Sequence, residues 1–372
     1  MIKLAFLIRK LDVGGAQRQL IALVKALDKN KFDVTVLTFY SGGILEKDLK
    51  NTSIKLISLE KKGRWDVWGF VRRLVHNLNN IQPDLLHGYL STSNILTILL
   101  KPLFTKTKII WGVRSSNQDF SYYNWLSGVS FKLECWLSSF VDLIIINSYS
   151  GKNYHLKQGF PSEKMVVIPN GIDTERFHPD LDARTKIRQE WKVSDNTIII
   201  ALVARFDPKK GHKTFLEAAA LMSKENPNVF FVCVGTGSQT YTREIYQLSE
   251  ELMISDRLIW AGARDDMSVL YNAFDIVCSS SSFGEGFANV VGEAMACGIP
   301  CVVTDVGDSA WIVGDIGPVV SPKNPQALAK AWKSCMERDK KEISVQSRLR
   351  IIEHFSVQEL ANQTEKLLEK FS

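Results

Sequence analysis

The sequence predicts an α/β protein with two doubly wound, Rossmann-like domains that face each other across a cleft. The first observation is that apolar runs of strand length alternate with amphipathic stretches of helix length, as in parallel sheets. The second is that this alternation starts afresh near residue 198. The third is size, because 372 residues with 45% hydrophobic and 23% charged content exceed one ordinary core and suffice for two.

The elements follow from these apolar runs. The first domain is predicted over residues 1–172, the second over 173–352, and a final amphipathic helix over 353–372. The predicted strands of the first domain are Leu4–Ile8, Asp33–Leu37, Lys55–Leu59, Asp84–His87, Lys108–Trp111 and Leu143–Asn147, with a first helix over Ala16–Leu27. Those of the second are Ile198–Ala204, Val229–Val234, Leu258–Trp260, Asp275–Cys278 and Pro300–Thr304. Between the series, Pro169 and an Asn-Gly pair within Ile168–Asp173 indicate a turn, which we interpret as the hinge.

Composition indicates where in the cell the protein is located and whether it binds a metal or another cofactor. No apolar run is long enough to cross a bilayer, and the six cysteines are scattered. Only Cys297 and Cys301 lie close together, and they lack the second pair that a zinc site needs. We therefore expect a cytoplasmic protein without a bound metal or other cofactor.

Charge is distributed unevenly along the chain. Residues 1–178 contain 24 Lys and Arg against 14 Asp and Glu, whereas the remainder contains 22 against 26. A basic first half favours an anionic partner, either the inner face of a membrane or a phosphate-bearing acceptor. Nucleic acid is formally possible but is not the predicted partner. The alternative is that these lysines only keep the surface soluble.

The strongest chemical signal is the segment Ser279–Pro300. A strand ends at Cys278, a small-residue loop carries Glu285, and a helix that starts near Phe287 carries Glu293. Ligands bind at the carboxyl ends of strands in open α/β sheets, and amides at a helix start can receive a phosphate. The residues expected to do so are Gly286, Phe287, Ala288 and Asn289.

The two carboxylates suit hydrogen bonding better than hydrolysis. Eight helical positions span about 12 Å, which is too far for the close acid and nucleophile pair of a retaining hydrolase. Glu285 and Glu293 are better placed to accept hydrogen bonds from separate hydroxyl-bearing groups, such as a sugar and a ribose. The alternative is a capped helix with a solvent-facing glutamate.

A second signal lies after the first strand of the second domain, where Arg205 and Lys210 flank a turn. Two cations at a strand's carboxyl end can stabilise a diphosphate as its leaving-group charge grows. An ordinary surface cation is the alternative for either residue alone. Glycine-rich turns at Gly14, Gly15 and Gly235 allow backbone to approach phosphate, although short glycine loops are often only tight turns.

Weaker candidates lie in the first domain. His87 ends a predicted strand and would point into the cleft, where it joins Arg205, Lys210 and Glu285 as a catalytic candidate; a structural histidine is the alternative. Arg114, followed by Ser115, could contact donor or acceptor. An aromatic stretch could lie on a membrane, although buried core is the commoner meaning. It comprises Tyr122, Tyr123, Trp125, Phe131 and Trp136, with Lys132.

Together these segments resemble the retaining GT-B glycosyltransferases of family 4, from about residue 2 to residue 370. The motifs that carry the resemblance are Glu285 with Glu293, Arg205 with Lys210, Ile168–Asp173, Gly14 with Gly15, Trp260–Arg264 and Ala294–Pro300. The resemblance implies transfer of a sugar from a UDP- or GDP-linked donor to a glycan or lipid-linked acceptor. It also implies that the anomeric configuration is retained without a protein nucleophile.

The resemblance further implies a role for each matching residue. Glu285 would bind donor-sugar hydroxyls, Glu293 the ribose, and Arg205 with Lys210 the diphosphate, in place of a metal. Gly15 would back the phosphates, Arg264 would line the base pocket, and the last helix would cross back onto the first domain.

One departure and two rival functions stand beside this interpretation. Many family members carry a histidine after the fifth strand of the first domain, where this chain has Arg114, which could bind a charged sugar or the acceptor. The residues from Trp111 to Ser121 are similar to enzymes of bacterial surface-polysaccharide assembly, including lipopolysaccharide, acting at the inner face of the membrane. The rivals are a sugar-nucleotide epimerase of the same fold and a non-catalytic sugar-nucleotide-binding partner.

Overall fold

A computed structural model describes residues 1–114 and 125–371, apart from the side chains of residues 125–127. Ser115, Tyr122, Tyr123 and the Trp125 side chain lie outside the described residues. The chain forms two compact units: unit 1 comprises Met1–Gly171 and Val357–Ser372, and unit 2 comprises Ile172–Ser356. The chain passes from one unit to the other within the predicted turn and again after Ser356, four residues beyond the expected boundary at 352.

Unit 1 is built on a seven-stranded parallel sheet. Its strands are β1 Ile2–Ile8, β2 Phe32–Thr38, β3 Lys55–Ser58, β4 Leu85–Tyr89, β5 Lys108–Val113, β6 Leu143–Ile146 and β7 Met165–Val167. They are ordered β3-β2-β1-β4-β5-β6-β7, so the direction of winding reverses between β1 and β4. Six of these strands match predicted ones, whereas β7, only three residues long, was missed.

Helices cover both faces of this sheet, which is why β1 is buried from Leu4 to Ile8 rather than alternating with polar residues. The helices are α1 Gly15–Ala26, α2 Val67–Ile81, α3 Ser91–Leu100, α4 Trp125–Leu137, α5 Tyr149–Lys157 and, from the end of the chain, α14 Val357–Glu369. Helix α14 packs on α1, and its Leu360 and Leu368 join the core around Leu20.

Unit 2 is built on a six-stranded parallel sheet. Its strands are β8 Ile198–Val203, β9 Val229–Val234, β10 Leu258–Gly262, β11 Ile276–Ser279, β12 Cys301–Thr304 and β13 Val319–Val320. The helices are α6 Leu181–Glu190, α7 His212–Glu225, α8 Gln239–Glu251, α9 Met267–Leu270, α10 Asn289–Ala296, α11 Ser309–Val313, α12 Pro325–Met336 and α13 Lys340–Phe355. The strand order β10-β9-β8-β11-β12-β13 reverses the winding between β8 and β11. The two-residue β13 is the strand that sequence reasoning missed.

Both sheets are therefore parallel and doubly wound, which confirms the predicted Rossmann-like architecture of each unit. In such sheets the loops that diverge at the reversal of winding leave a crevice at the carboxyl ends of the strands, and ligands bind there. In the described part of the chain, no helix combines the length and the apolar character that crossing a bilayer requires.

Candidate active site

Two loops meet at the reversal of winding in unit 2. One follows β8 and leads to α7; the other follows β11 and leads to α10. The Ser280 hydroxyl donates to the carbonyls of Lys210 and Gly211, each at 3.1 Å, and the Ser282 amide donates to the Lys209 carbonyl at 2.7 Å. These bonds hold the two loops in one arrangement.

Gly211 makes this close approach possible. Its backbone has φ +70°, and a Cβ placed there would lie 1.8 Å from the Ser280 carbonyl oxygen. A side chain at this position would therefore both strain the backbone and push the two loops apart.

The loops bring three polar side chains together. The Lys210 ammonium forms an ion pair with Glu285, and the Ser281 hydroxyl donates to the same Glu285 oxygen at 2.6 Å. The Lys210 side chain is 24% exposed and that of Glu285 11%, so water screens their attraction only in part. Lys210 and Glu285 were both predicted; Ser281 was not, although it lies in the same small-residue loop.

Arg205 lies on the same loop as Lys210 but has a different partner. Its guanidinium donates to Asp207 at 3.1 Å, and its side chain is 65% exposed. The other oxygen of Asp207 accepts from the Lys209 amide and starts the short turn that carries Lys210. An exposed pair of this kind is weak, so the Arg205 side chain can change partner at little cost.

A third loop, which follows β12 and was not predicted to take part in the site, contacts the backbone around Glu285. The Thr304 hydroxyl at the end of β12 donates to the Ser281 carbonyl at 2.7 Å, and the Asp308 amide donates to the Gly286 carbonyl at 3.0 Å. A Cβ at Gly307 would lie 2.7 Å from the Glu285 carbonyl oxygen. The signal that could have found this loop is its place after another strand of the same sheet.

The start of α10 differs from the prediction. The helix begins at Asn289 with Ala288 as its N-cap residue, so Phe287 and Ala288 precede it. Both are buried, and the Phe287 ring lies 5.5 Å from that of Phe355, which holds this backbone in the core before the helix begins. The 12 Å separation assumed for eight helical positions therefore does not apply, because Glu285 lies outside the helix.

Glu293 lies on α10 and has its own partner. It is half-buried and accepts a hydrogen bond from the Tyr271 hydroxyl at 2.8 Å. Tyr271 is fully buried, and burial together with the Glu293 charge raises its pKa well above the usual value. Glu293 is therefore partly exposed but hydrogen-bonded, and Glu285 and Glu293 are held by different partners.

Arg264 and Gly235 occupy further strand ends of unit 2. The Arg264 guanidinium pairs with Glu190 and Asp266, each at 2.7 Å, and these hydrogen bonds raise its pKa above the usual range. Gly235 has φ +137°, and a Cβ there would lie 2.1 Å from the Ala204 carbonyl oxygen. The loop after β9 therefore needs glycine for its own backbone, whatever it binds.

His87 does not end its strand. Strand β4 continues to Tyr89, and the imidazole is fully buried against the Phe6 ring, with centroids 4.9 Å apart. Neither ring nitrogen has a hydrogen-bond partner among the residues described. Burial, with a smaller effect of the Arg114 charge, lowers the pKa of His87 to about 3. The expectation that His87 points out of the sheet as a catalytic group is wrong.

The other candidates of unit 1 lie at the sheet's carboxyl edge. Arg114 follows β5, donates to Asn170 at 3.0 Å and lies 4.8 Å from the centroid of the Tyr89 ring. Gly14 caps α1 and Gly15 is the first residue of that helix. Gly14 has φ −169°, an extended conformation open to any residue, so its backbone does not require glycine.

The aromatic stretch divides between core and surface. Phe131 is buried, as the core alternative predicted, whereas Trp136 is 64% exposed. Within residues 1–114 and 125–371, no three His, Cys, Asp or Glu side chains are grouped so as to hold a metal ion.

The chain belongs to the glycosyl transferases group 1 family, whose model matches residues 183–369, while the glycosyltransferase family 4 model matches residues 13–176. It is thus a glycosyltransferase whose two units have the GT-B type of fold.

Two curated relatives and one solved structure illustrate the likeness. A protein named as a glycosyltransferase, EpsF of Bacillus subtilis, is 22% identical over 78% of this chain and 76% of its own. The UDP-Gal:alpha-D-GlcNAc-diphosphoundecaprenol alpha-1,3-galactosyltransferase of Escherichia coli is 24% identical over 81% of this chain and 79% of its own. The crystal structure of Anabaena HepE in complex with UDP has a TM-score of 0.86 at 22% identity, covering 99% of this chain and all of the other. Other curated relatives are matched over about half of their length.

Proposed function

We propose that this glycosyltransferase transfers a sugar from a UDP- or GDP-linked donor to a glycan or lipid-linked acceptor in cell-surface polysaccharide synthesis. The observation that carries the donor part is the cluster of Lys210, Glu285 and Ser281, with Arg205 beside it, at the reversal of winding in unit 2. Two cations and a held carboxylate at this edge suit a sugar diphosphate.

In this proposal each side chain has one task. Arg205 and Lys210 stabilise the negative charge that grows on the leaving diphosphate. Glu285, oriented by Lys210 and Ser281, accepts hydrogen bonds from donor-sugar hydroxyls, while Glu293 on α10 accepts them from the ribose. Gly286 to Asn289 present backbone to the phosphates, with Gly14 and Gly15 of unit 1 as further phosphate contacts, and Arg264 borders the base.

Retention and metal independence are part of the proposal. Glu285 is already engaged by a cation and a hydroxyl, which suits a hydrogen-bond acceptor better than a nucleophile. Lys210 and Arg205 supply the positive charge that a divalent ion supplies elsewhere. The anomeric configuration of the product, determined by proton NMR, tests retention. Unchanged transfer rates in a chelator test metal independence, and loss of activity there would refute it.

A contact with an anionic membrane surface accounts for the basic first half of the chain. Trp65 and Trp68 are 88% and 87% exposed and lie beside Lys62 and Arg64. On α4, Trp136 is exposed next to further apolar side chains. Exposed tryptophans flanked by cations are typical of interfacial membrane anchors. A lipid-linked acceptor, as in the name of the E. coli relative, would be found at such a surface.

The donor site is tested by thermal stabilisation of the purified protein with UDP and with GDP, in the presence and absence of chelator. A ligand at a hundredfold excess over its dissociation constant adds about 2.7 kcal/mol to the free energy of unfolding, which is readily measured. We expect one nucleotide to stabilise the wild type and Arg205→Ala to remove that stabilisation.

Lys213→Ala is the matched control. Lys213 lies three residues after Lys210, on the exposed side of α7, where it pairs with Glu244 at 3.5 Å. Its replacement should leave the nucleotide shift intact. If neither nucleotide stabilises the wild type, or if Lys213→Ala removes the shift as fully as Arg205→Ala, the assignment of the diphosphate site is wrong.

The two rivals make different predictions. The relatives named above are glycosyltransferases, which gives no support to the epimerase alternative; an epimerase would convert the donor sugar without any acceptor. A non-catalytic partner would bind nucleotide sugar without turnover. Release of UDP or GDP from a panel of nucleotide sugars, measured with membrane extract as the source of acceptor, separates these outcomes from transfer.

A further inference from the structure

A fully buried tyrosine of unit 2 is hydrogen-bonded to Glu293. Tyr271 lies in a short helix, Tyr271–Ala273, that precedes β11, whereas Glu293 lies on α10, which follows β11. The Tyr271 hydroxyl donates to a Glu293 carboxylate oxygen at 2.8 Å. The proposed function gives Glu293 a task but gives none to Tyr271.

Aromatic neighbours hold the Tyr271 ring in one orientation. The centroid of the Phe177 ring lies 5.9 Å away and that of the Phe274 ring 6.3 Å away, and both contacts are edge-to-face. These rings belong to the core cluster that also contains Val291 and Met295 of α10. Edge-to-face contacts favour a particular ring orientation, and a close-packed core leaves little room for another rotamer. The position of the Tyr271 hydroxyl is therefore fixed relative to α10.

The backbone that carries Tyr271 is fixed by the next residue. Asn272 is 5% exposed and accepts a hydrogen bond from the Asp180 amide at 2.8 Å. Its amide group donates to the carbonyls of Ser268, at 2.9 Å, and His178, at 3.2 Å. These bonds tie the short helix to α9 on one side and to the segment that leads into α6 on the other.

A hydroxyl can hold a carboxylate without neutralising it. Burial and the Glu293 charge raise the pKa of Tyr271 well above its usual value, so the hydroxyl keeps its proton and remains a donor. A hydrogen bond to an ionised acceptor is about twice as strong as one between neutral groups. A carboxylate can accept about four hydrogen bonds, so the bond from Tyr271 is compatible with bonds to a ligand.

A carboxylate that is already held binds a ligand more tightly than a mobile one. A glutamate side chain has several rotatable bonds, and immobilising such a side chain when the ligand arrives weakens binding about fivefold. A bond that fixes the side chain beforehand removes this cost. The bond from Tyr271 to Glu293 is placed to do so, because its donor belongs to the rigid core.

We propose that Tyr271 is a positioning residue for nucleotide recognition, whose hydroxyl holds Glu293 in the orientation that accepts hydrogen bonds from the ribose. The inference rests on the proposed role of Glu293 and goes beyond it, because it assigns part of the nucleotide affinity to a residue that does not touch the ligand. Loss of the Tyr271 hydroxyl should weaken the nucleotide and leave the transfer step unchanged, since the diphosphate separates the ribose from the bond that breaks.

Isothermal titration calorimetry with UDP and with GDP measures the effect. Tyr271→Phe keeps the ring and removes only the hydroxyl, and should weaken the nucleotide that binds the wild type about fivefold. The 2′,3′-dideoxy form of that nucleotide lacks the ribose hydroxyls, so variant and wild type should bind it equally. In transfer assays Tyr271→Phe should raise KM for the donor about fivefold and leave kcat unchanged.

Ser249→Ala is the control for a loss of structural origin. The Ser249 hydroxyl is also buried in unit 2, but it donates within its own helix, α8, to the Tyr246 carbonyl at 2.7 Å. Nucleotide affinity should be the same in this variant as in the wild type. In a Glu293→Ala background Tyr271→Phe should have no further effect, because the carboxylate that the hydroxyl holds is gone.

Several results would overturn the inference while UDP or GDP still binds the wild type, and they leave the proposed donor site standing. They are an unchanged affinity in Tyr271→Phe, an equal loss for the dideoxy nucleotide, an equal loss in Ser249→Ala, and a further loss in the Glu293→Ala background. If the wild type binds neither nucleotide, the proposed function is contradicted, and this inference with it.

Discussion

Replacing His87 tests whether this residue is a structural group that makes the protein sensitive to acid. The imidazole is fully buried and its nitrogens have no partner among the described residues. Its pKa is about 3 in the folded protein. In the unfolded chain the pKa of histidine is about 6.5, so below that pH the unfolded state binds a proton that the folded state does not. Stability contributed by neutral His87 is therefore complete above pH 6.5 and is lost progressively as the pH falls toward 3.

The size of this effect follows from the two pKa values. At pH 5.5 the unfolded histidine is about ten parts protonated to one part neutral, which favours unfolding by about 1.4 kcal/mol. His87→Leu has a similar volume, removes the titrating group and removes two unpaired buried nitrogens. We expect this variant to equal or exceed the wild type in stability at pH 7.5 and to lose about 1.4 kcal/mol less than the wild type on going to pH 5.5.

Urea unfolding at the two pH values measures the difference, and His178→Leu, at an exposed histidine, is the control. His155 and His212, also buried, keep their own acid response in both proteins. Equal losses in wild type and His87→Leu would refute the assignment of a low pKa to His87. Loss of sugar transfer by a variant that remains folded would refute the structural role and restore His87 as a catalytic candidate.

Three further predictions concern other parts of the chain. Gly211→Ala should lower the free energy of unfolding by about 3 kcal/mol in urea titrations, because φ is positive and the new Cβ would lie 1.8 Å from the Ser280 carbonyl oxygen. Gly262→Ala, with φ +66° and open space around it, should lower it by only about 1 kcal/mol. Equal losses would refute the argument from loop contact. Tyr271→Phe should cost about 1 kcal/mol in the same assay by removing the bond to Glu293, and no change would show that this bond contributes nothing. Replacing both Trp65 and Trp68 by Ser should reduce sedimentation with phosphatidylglycerol vesicles, and unaltered binding would exclude them as anchors.

Strand-end reasoning was sufficient to predict which segments carry the donor-site candidates. Apolar runs placed Lys210 and Glu285 after strands, and parallel sheets collect such ends at one edge. The contact between them could not be predicted, because it depends on how two loops 75 positions apart are tied together. That arrangement is set by Ser280 and Gly211, whose roles appear only when the two backbones are adjacent.

Residues buried against expectation account for most of what sequence reasoning missed in unit 1. The predicted strand Asp84–His87 ends at His87, yet in a sheet covered on both faces β4 continues through Gly88 to Tyr89. Glu134 of α4 is only 3% exposed, but the sequence did not single it out, because glutamates are common in helices and usually face solvent. The available signal was its isolation among apolar residues from Phe131 to Leu137, since an acidic residue on a buried helix face needs partners.

The candidate donor site of unit 2 contains two ion pairs that differ in how firmly they are held. The Lys210–Glu285 pair keeps its arrangement, whereas Arg205 can leave Asp207 for another partner. Lys210 and Glu285 are largely shielded, and the Ser281 hydroxyl also donates to Glu285, so removing the lysine takes an ammonium charge away from a largely buried carboxylate. Arg205 and Asp207 are more exposed and their attraction is screened. A diphosphate can therefore draw Arg205 from Asp207 at little cost while Lys210 keeps Glu285 in place. Lys210→Met should consequently lower the melting temperature without nucleotide, whereas Arg205→Ala should leave it unchanged and lose only the nucleotide shift; the reverse pattern would show that the two cations have exchanged roles.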